Sequence, residues 1–375
     1  MGDTLQFVHI ADNHLGYRQY NLDEREKDIY RAFEECIDKI IEIKPDFVIH
    51  SGDLFENPEP SVNALYTAIN GFKKLMEHGI SVYIIHGNHD LPKRRSKKSP
   101  FTILKSILGD HFKTFNRSNY HIFKKEGKEV FIGGNDFTSR SNIEALHKTY
   151  RMIEKDSKDY KDRILLFHQS LYSYSNLPTY EIQLEDLPRG FKYYGGGHIH
   201  QRILRDMEEG ILAYSGSTEI YTYDEYRDYE KNGKGFYLVD ISRGDCDVES
   251  IDIKCRDFVV ERAIADEESF KRFLENLRSK NEPVVICSVL RDLSEKLERA
   301  LKSKKTLYNR ITYLEGIAEE EVLDIAHMDV EEVFREFLKS RNYDVNFVYG
   351  IYDEVIRGRD LYKYLEDHLR GFNVK

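Results

Sequence analysis

Short apolar runs alternate with polar clusters along the first 240 residues. Each run is rich in Val, Ile, Phe and Tyr and ends at turn-forming residues, which predicts a strand. Residues 24–44 and 61–77, between the early runs, carry apolar side chains at helical spacing. Alternating strands and helices indicate an α/β domain, and the later strands predict a second sheet packed on the first. The predicted strands are residues 5–10, 47–50, 82–86, 129–133, 164–167, 192–194, 211–214 and 235–240.

The pattern changes beyond about residue 245. Predicted strands at residues 257–265 and 283–290 are accompanied by predicted helices at residues 267–278 and 293–303. This combination describes a small α+β module.

The last sixty residues are acidic. From residue 316 onward the chain has fourteen Asp and Glu against eight Lys and Arg, and residues 330–340 and 344–357 are amphipathic stretches at helical spacing. We therefore expect three parts in the chain. They are a large α/β domain at residues 1–243, a small domain at residues 244–315 and a C-terminal helical segment at residues 316–375.

The composition narrows the class of protein. With 375 residues, of which 40% are hydrophobic and 13% aromatic, the chain can bury a core, which excludes a disordered protein. No apolar run approaches the roughly 20 residues that a membrane-spanning helix needs. Four cysteines without a CxxC motif predict reduced thiols in an intracellular, cytoplasmic protein. The net charge of −10 argues mildly against a general nucleic-acid binder, although most of it falls in the acidic tail.

Polar side chains with metal-binding chemistry follow five of the predicted strands. Ligands of open α/β sheets bind outside the carboxyl ends of the strands, so five loops would deliver these side chains to one cleft. Carboxylate, amide and imidazole groups without a thiolate suit Mn²⁺, Fe²⁺ or Zn²⁺ and argue against a structural zinc site. Seven candidate ligands exceed what one ion needs, and a pair of ions sharing a carboxylate fits better. The clusters are Asp12-Asn13-His14, Gly52-Asp53, Gly87-Asn88-His89-Asp90, His168-Gln169 and Gly197-His198-Ile199-His200.

Spacing within two clusters supports a shared ion. In an extended segment that leaves a strand, residues i and i+2 point the same way, so Asp12 and His14 can reach one ion, as can His198 and His200. A single Asp-x-His is a weak signal, because a histidine on a strand is more often structural. Five such clusters in this order, each at a predicted strand end, argue strongly against coincidence.

The clusters resemble the signature of the calcineurin-like metallophosphoesterases, which is D-x-H, G-D, G-N-H-[DE], H and G-H-x-H in that order. The resemblance implies a four-layer α-β-β-α sandwich with two metal ions. One ion would take Asp12, His14 and His200, the other would take Asn88, His168 and His198, and Asp53 would bridge them. His89 would contact the scissile phosphate and assist protonation of the leaving group, oriented by Asp90.

Finer features resemble one branch of that family. The run from His9 to Tyr17, the Gly52-Asp53-Leu54-Phe55 run and residues 193–200 are similar to the meiotic-recombination-eleven family of DNA double-strand-break repair nucleases, most closely its archaeal members. That resemblance implies a manganese-dependent phosphodiesterase with two Mn²⁺ ions (Mg²⁺ being possible). Its activities would be single-strand endonuclease and 3′-to-5′ double-strand exonuclease.

The same resemblance implies partners. Residues 244–315 would correspond to a DNA-contacting capping domain. Helices at residues 61–77 and 100–108 would form a homodimer, and the C-terminal helices would bind the coiled coil of an SMC-like ATPase. The apolar faces of these helices could equally cover their own sheet or domain.

Two basic or aromatic segments are candidate DNA contacts. Tyr17 and Arg18 follow directly on two candidate ligands, and Arg neutralises phosphates while Tyr stacks or donates a hydrogen bond. Lys93, Arg94 and Arg95 begin a basic run just past His89, which is also what a solvated loop looks like.

Two other functions stay open. The same centre would serve a phosphatase or a small-molecule phosphodiesterase, and a DNA-tethering scaffold would use catalysis only secondarily.

Overall fold

The structure, a computed structural model, describes residues 5–92, 97–115, 119–172, 180–242, 244 and 246–314 and the single positions 339, 345 and 348. The chain divides into two compact units. The first comprises Met1–Ser175 and Tyr180–Arg256, and the second comprises Asn176–Thr179 and Asp257–Lys375. Apart from the three single positions, the predicted tail at residues 316–375 lies outside the described residues.

Two six-stranded sheets form the first unit. In chain order its strands are β1 (Gln6–Ile10), β2 (Phe47–His50), β3 (Ser81–Ile84), β4 (Phe112–Thr114), β5 (Tyr120–Lys125), β6 (Lys128–Gly134), β7 (Asp162–Phe167), β8 (Tyr193–Gly196), β9 (Ile203–Met207), β10 (Gly210–Tyr214), β11 (Gly235–Asp240) and β12 (Asp247–Asp252). The first sheet has the order β12-β11-β1-β2-β3-β4, and the second has the order β5-β6-β7-β8-β10-β9. All eight strands predicted for the large domain are present, within a few residues.

Among the described residues, five α-helices accompany these sheets: α1 (Asp23–Ile43), α2 (Val62–Glu77), α3 (Phe101–Leu108), α4 (Ile143–Ser157) and α5 (Tyr226–Asn232). Acidic residues in the first turn of α1 favour its start, and the Ser61 side chain caps α2 by accepting from Ala64 N. No helix in the described residues is long and apolar enough to cross a membrane.

The apolar side chains place these elements in four layers. Helices α1, α2 and α3 pack on the outer face of the first sheet, and α4 packs on the outer face of the second. Alternate strand residues face opposite ways, so Val8 contacts the helices while Phe7 lies between the sheets. The predicted α-β-β-α sandwich is confirmed.

Strand register brings the polar loops together. In the first sheet β1, β2 and β3 are parallel, and in the second β6, β7 and β8 are parallel. The loops that carry the candidate ligands therefore leave neighbouring parallel strands at their carboxyl ends.

Strand β12 extends the first unit beyond residue 243, where the sequence placed the start of the small domain. It pairs antiparallel with β11 along its whole length. Beyond it, Arg256 forms two hydrogen bonds to the Asp28 carboxylate on α1, at 2.6 and 2.7 Å.

The described part of the second unit, residues 257–314, contains three parallel strands in the order β13 (Phe258–Ile264), β14 (Val284–Leu290) and β15 (Tyr308–Leu314). Helices α6 (Glu267–Ser279) and α7 (Arg291–Ser303) connect them and cover the sheet with an apolar core of their own. The four elements predicted for this module are confirmed, and β15 is an addition.

Candidate metal centre

The seven candidate ligands come from five loops of the first unit and converge at one place. His14 Nε2 lies 3.2 Å from His200 Nε2 and 3.7 Å from Asp53 Oδ2. His168 Nε2 lies 3.1 Å from both Asp53 Oδ2 and Asn88 Oδ1. Atoms able to bind a metal lie within 4.8 Å of one another in three groups. These groups are Asp12, His14 and His200; His14, Asp53 and His89; and Asp53, His168 and His198.

These distances divide the centre in two around Asp53. We call Asp12, His14 and His200 the first half, and Asn88, His168 and His198 the second half. Asp53 lies beside histidines of both halves. This is the partition that the family resemblance implies.

Four of the ligand candidates have left-handed backbone conformations: Asp12 (φ 53°), His14 (φ 45°), Asp53 (φ 52°) and His198 (φ 82°). Such conformations are uncommon for residues other than glycine and cluster at functional sites. The extended geometry that we expected for His198-x-His200 is therefore wrong, and the two residues lie in different halves. The extended geometry that we expected for Asp12-x-His14 is wrong as well. These two side chains meet because their backbone is bent and tied to the next loop, with Asp12 N donating to Gly52 O and His14 N donating to Asp53 O, both at 3.0 Å.

Close approach of the loops also needs glycine. A Cβ atom on Gly87 would lie 2.0 Å from Asp53 Oδ1, and one on Gly52 would lie 2.6 Å from His168 Nδ1. Only glycine lets the loops after β2 and β3 come this near. A further bond joins the two halves, because His198 N donates to the carboxylate of Asp12 at 3.0 Å.

Three of the histidines are held by their second ring nitrogen. His14 Nδ1 lies 2.9 Å from Glu56 Oε2, and His200 Nδ1 lies 2.9 Å from Glu225 Oε1. His168 Nδ1 donates to the carbonyl of Ser51 at 2.6 Å. Each Nε2 is thereby left to face the centre. Histidine ligands of metal sites have this arrangement, in which the outer nitrogen donates to a carboxylate or a carbonyl.

Burial and close charges shift the pKa values of these groups. Burial opposes the charged form of His168, but the Asp53 carboxylate, together with Asp12 and the Ser51 carbonyl, raises the pKa of His168 to about 9. Burial also opposes ionisation of Asp53, yet His168 and His14 hold its pKa well below the usual range. For His198, burial and then the charge of His168 lower the pKa to about 3. Closely spaced groups with shifts in opposite directions are typical of functional sites.

His89 lies beside the first half but is held differently. Its side chain is 36% exposed, and its Nδ1 donates to the Glu56 carbonyl at 2.8 Å. The Asp90 carboxylate is fully buried and accepts from Gly87 N at 2.9 Å and from Phe55 N at 3.0 Å. Asp90 therefore ties the loops after β2 and β3 together, while the contacts that orient the His89 ring come from Glu56.

Comparison with known proteins agrees with this geometry. The family model described as calcineurin-like phosphoesterase matches residues 5–202. The DNA double-strand break repair protein Mre11 of Methanococcus maripaludis is 46% identical over 378 residues, covering 98% of this chain and 100% of that protein. The protein of the same name from Methanocaldococcus jannaschii is 43% identical, covering 99% of each chain. The chain belongs to the calcineurin-like phosphoesterases, in the Mre11 family. A third protein of that name, from Thermoplasma acidophilum, is 33% identical over 88% of this chain and 89% of its own length.

The predicted DNA contacts of this Mre11-family chain fall in different surroundings. The half-buried Tyr17 packs against Tyr221, whose ring lies 5.1 Å from that of His14. Arg18 is exposed and forms ion pairs with Asp23 at 2.5 Å and Glu26 at 3.5 Å. Lys93, Arg94 and Arg95 lie outside the described residues.

Sequence reasoning missed the groups that hold the ligands of this phosphoesterase. Glu56 stands three residues after Asp53, so the flank of the G-D motif was an available signal. Glu225 and Ser51 gave none, because their contacts depend on how distant segments pack. The same is true of Glu181, whose Oε2 lies 3.9 Å from His198 Nε2.

Proposed function

We propose that this protein is a two-metal-ion DNA nuclease that processes DNA ends in double-strand-break repair. The observation that carries the proposal is the convergence of seven residues with oxygen or nitrogen donors, Asp53 and six others around it, in a chain that matches proteins named for that repair over almost its full length. We further propose both single-strand endonuclease and 3′-to-5′ double-strand exonuclease activity.

The donor chemistry fits a pair of divalent cations. Asp12, His14 and His200 would hold one and Asn88, His168 and His198 the other, with Asp53 between them. Mixed imidazole and carboxylate ligation supports Mn²⁺, with Mg²⁺ as the alternative. When bound, such a pair supplies positive charge that activates water and stabilises the oxygens of an in-line displacement at phosphorus.

His89 is proposed to act on the substrate directly. A backbone carbonyl accepts and never donates, so the Glu56 carbonyl keeps a hydrogen on His89 Nδ1. The remaining nitrogen, Nε2, is then the one that contacts the scissile phosphate. As an imidazolium it donates a proton toward the leaving oxygen. The part that we propose for Asp90 is to hold the loop that carries His89.

Nuclease assays test this assignment. Labelled duplex, hairpin and single-stranded DNA are incubated with Mn²⁺ or Mg²⁺ and the wild type, His14→Ala or His89→Ala. His147→Ala is the matched control, because His147 lies on α4 and pairs with Asp186, which is not a candidate ligand. We expect the wild type and the control to cut DNA and the other two variants to lose activity. Hydrolysis of p-nitrophenyl phosphate esters without cleavage of DNA would instead identify a phosphatase or small-molecule phosphodiesterase. Repair in cells that survives His89→Ala would favour a scaffold.

A homodimer is supported by apolar side chains that α2 and α3 leave exposed. Val62 is 84% and Tyr66 66% exposed on α2, while Ile103 and Ile107 on α3 are 45% and 47% exposed. Other residues of both helices are buried against the sheet, so these helices have a second apolar face. We propose that a second copy of the chain covers this face. Light scattering of Val62→Glu should show a monomer, whereas Met152→Glu, an exposed position on α4, should leave the dimer intact.

The remaining partners are proposed from the family resemblance. The segment at residues 244–315 would contact DNA, and the helices at residues 330–340 and 344–357 would bind an SMC-like ATPase. Deletion of residues 328–375 should leave metal-dependent nuclease activity intact and abolish binding to the ATPase. Retained binding would contradict this assignment.

A further inference from the structure

A buried lysine lies directly behind the first half of the centre. Lys234 has no solvent exposure. Its Nζ donates to Glu225 Oε2 and to Ser217 Oγ, each at 2.6 Å, and to the carbonyl of His200 at 2.7 Å. These three acceptors use all the N–H donors of an ammonium group. Burying a charge is costly unless it is paired and hydrogen-bonded, and here both conditions are met.

The contacts of Lys234 reach His200 by two routes. Through the side chain, Glu225 binds Lys234 with Oε2 and accepts from His200 Nδ1 with Oε1, at 2.9 Å. Through the main chain, the His200 carbonyl accepts both from Lys234 Nζ and from Ser217 N, the latter at 3.1 Å. One cation thus holds the backbone of His200 and the carboxylate that grips its ring. Together these contacts fix the direction of His200 Nε2.

The main chain of Lys234 is itself fixed. It lies between Gly233 and Gly235, whose φ angles of 68° and 145° favour glycine. A Cβ atom on Gly235 would lie 2.1 Å from Ile251 O, which shows how closely this segment runs along β12. Lys234 O accepts from Ile253 N at 2.9 Å. The side chain therefore extends to His200 from a rigid base.

We propose that Lys234 is a positioning residue for the cation bound by Asp12, His14 and His200, acting through Glu225 and the main chain of His200. The inference rests on the proposed function, because it takes these three residues as ligands. It adds a residue from a distant segment that touches neither the cation nor the substrate.

Metal binding by the full-length protein tests the proposal. Manganese affinity is measured by calorimetry, and the visible absorption of bound Co²⁺ reports the ligand geometry. We expect Lys234→Met to weaken binding of one of two ions about 10- to 100-fold and to change the Co²⁺ spectrum, because removing such outer partners has costs of that size. The matched control is Lys192→Met. Lys192 pairs with Asp162 at 2.6 Å just before β8 begins, at the end of that strand away from His198. The Lys192→Met protein should therefore bind both ions like the wild type.

A double variant separates positioning from general destabilisation. Lys234→Met leaves the Glu225 charge buried without its lysine, which favours unfolding. In Lys234→Met with Glu225→Gln both charges are gone, and the glutamine oxygen still accepts from His200. We expect the double variant to bind the affected ion about 3- to 10-fold more tightly than Lys234→Met alone. Circular dichroism checks that each variant folds. If Lys234→Met fails to fold, the double variant is compared with Glu225→Gln instead. In Glu225→Gln the unpaired Lys234 should weaken binding of the affected ion by a similar factor.

The outcomes distinguish this inference from the proposed function. Wild-type protein that binds no manganese would overturn the proposed function. Wild type and Lys234→Met that bind two ions equally would overturn only the role of Lys234. A double variant that binds both ions as tightly as the wild type would assign Lys234 to folding alone and also overturn the inference.

Discussion

The two halves of the metal centre are supported in different ways. In the first half, His14 and His200 are held by the carboxylates of Glu56 and Glu225. In the second half, His168 is held by a backbone carbonyl, that of Ser51. A carboxylate partner raises the basicity of an imidazole ligand, whereas a carbonyl fixes its orientation without adding charge. The first half therefore depends on side chains that a mutation can remove, and the second depends largely on the main chain.

The largest effect is expected at Asp53, where the two halves meet. Its carboxylate lies beside His168 and His14, so Asp53→Asn should weaken the binding of both cations and lower nuclease activity on the order of 1000-fold. Metal content by mass spectrometry and a gel-based nuclease assay measure the two effects. Asp186→Asn, which disturbs the His147 pair, is the control. Loss of only one ion would show that Asp53 belongs to one half and does not join the two.

An intermediate effect should distinguish the halves. Glu56→Gln replaces a carboxylate that lies 2.9 Å from His14 Nδ1. Calorimetry should show that the affinity for one Mn²⁺ ion falls about 10- to 100-fold. Glu181→Gln changes a carboxylate that is 3.9 Å from His198 Nε2 and bonds to Ser170, so its effect should stay within about 3-fold. Equal losses in the two variants would show that the halves are supported alike.

The smallest effect concerns a buried histidine behind each half. Behind the first half, His50 Nε2 lies 2.6 Å from Oδ1 of Asn13, the residue between Asp12 and His14 in the sequence. Behind the second half, His9 Nε2 lies 3.0 Å from Ser51 Oγ. Burial, and then a neighbouring histidine, lower the pKa of each from 6.5 to about 3.

Unfolding returns both pKa values to 6.5, so below that pH the unfolded chain takes up protons that the folded protein excludes. The folded protein is therefore most stable with respect to these two histidines above pH 6.5, and it loses that stability as the pH falls toward 3. Thermal melts in the presence of EDTA should therefore show Tm falling from pH 6.5 to pH 4. His9→Gln should flatten this slope, and a slope unchanged by that substitution would contradict the assignment.

The convergence of the seven candidate donors could be predicted because each lies in a loop that follows a strand, and parallel strands end at the same edge of a sheet. That these side chains bind metal stays a prediction. The supporting residues could not be predicted. Glu225 and Lys234 reach His200 from 25 and 34 residues farther along the chain, and no local pattern records such a contact. Asp90 shows the same limit. Its position next to His89 in the sequence predicted that it orients the His89 ring, but its carboxylate instead accepts hydrogen bonds from backbone N–H groups of the loops after β2 and β3.

The boundary of the first unit was hard to predict for a different reason. Strand β12 has the sequence DVESID, in which only Val248 and Ile251 are apolar, and most of its residues are exposed. An edge strand of this kind lacks the hydrophobic signal that marked the buried strands. The left-handed backbone at Asp12 and His14 was likewise invisible, because neither residue type demands it.

The hydrogen bond from His198 N to the Asp12 carboxylate has an evolutionary consequence. It ties a ligand of one half to the backbone of the other, so drift at position 12 disturbs both halves at once. A descendant enzyme with a single metal would have to abandon one half and also rebuild the turn at His198. Under the proposed two-ion function, the two halves are therefore expected to persist or disappear together.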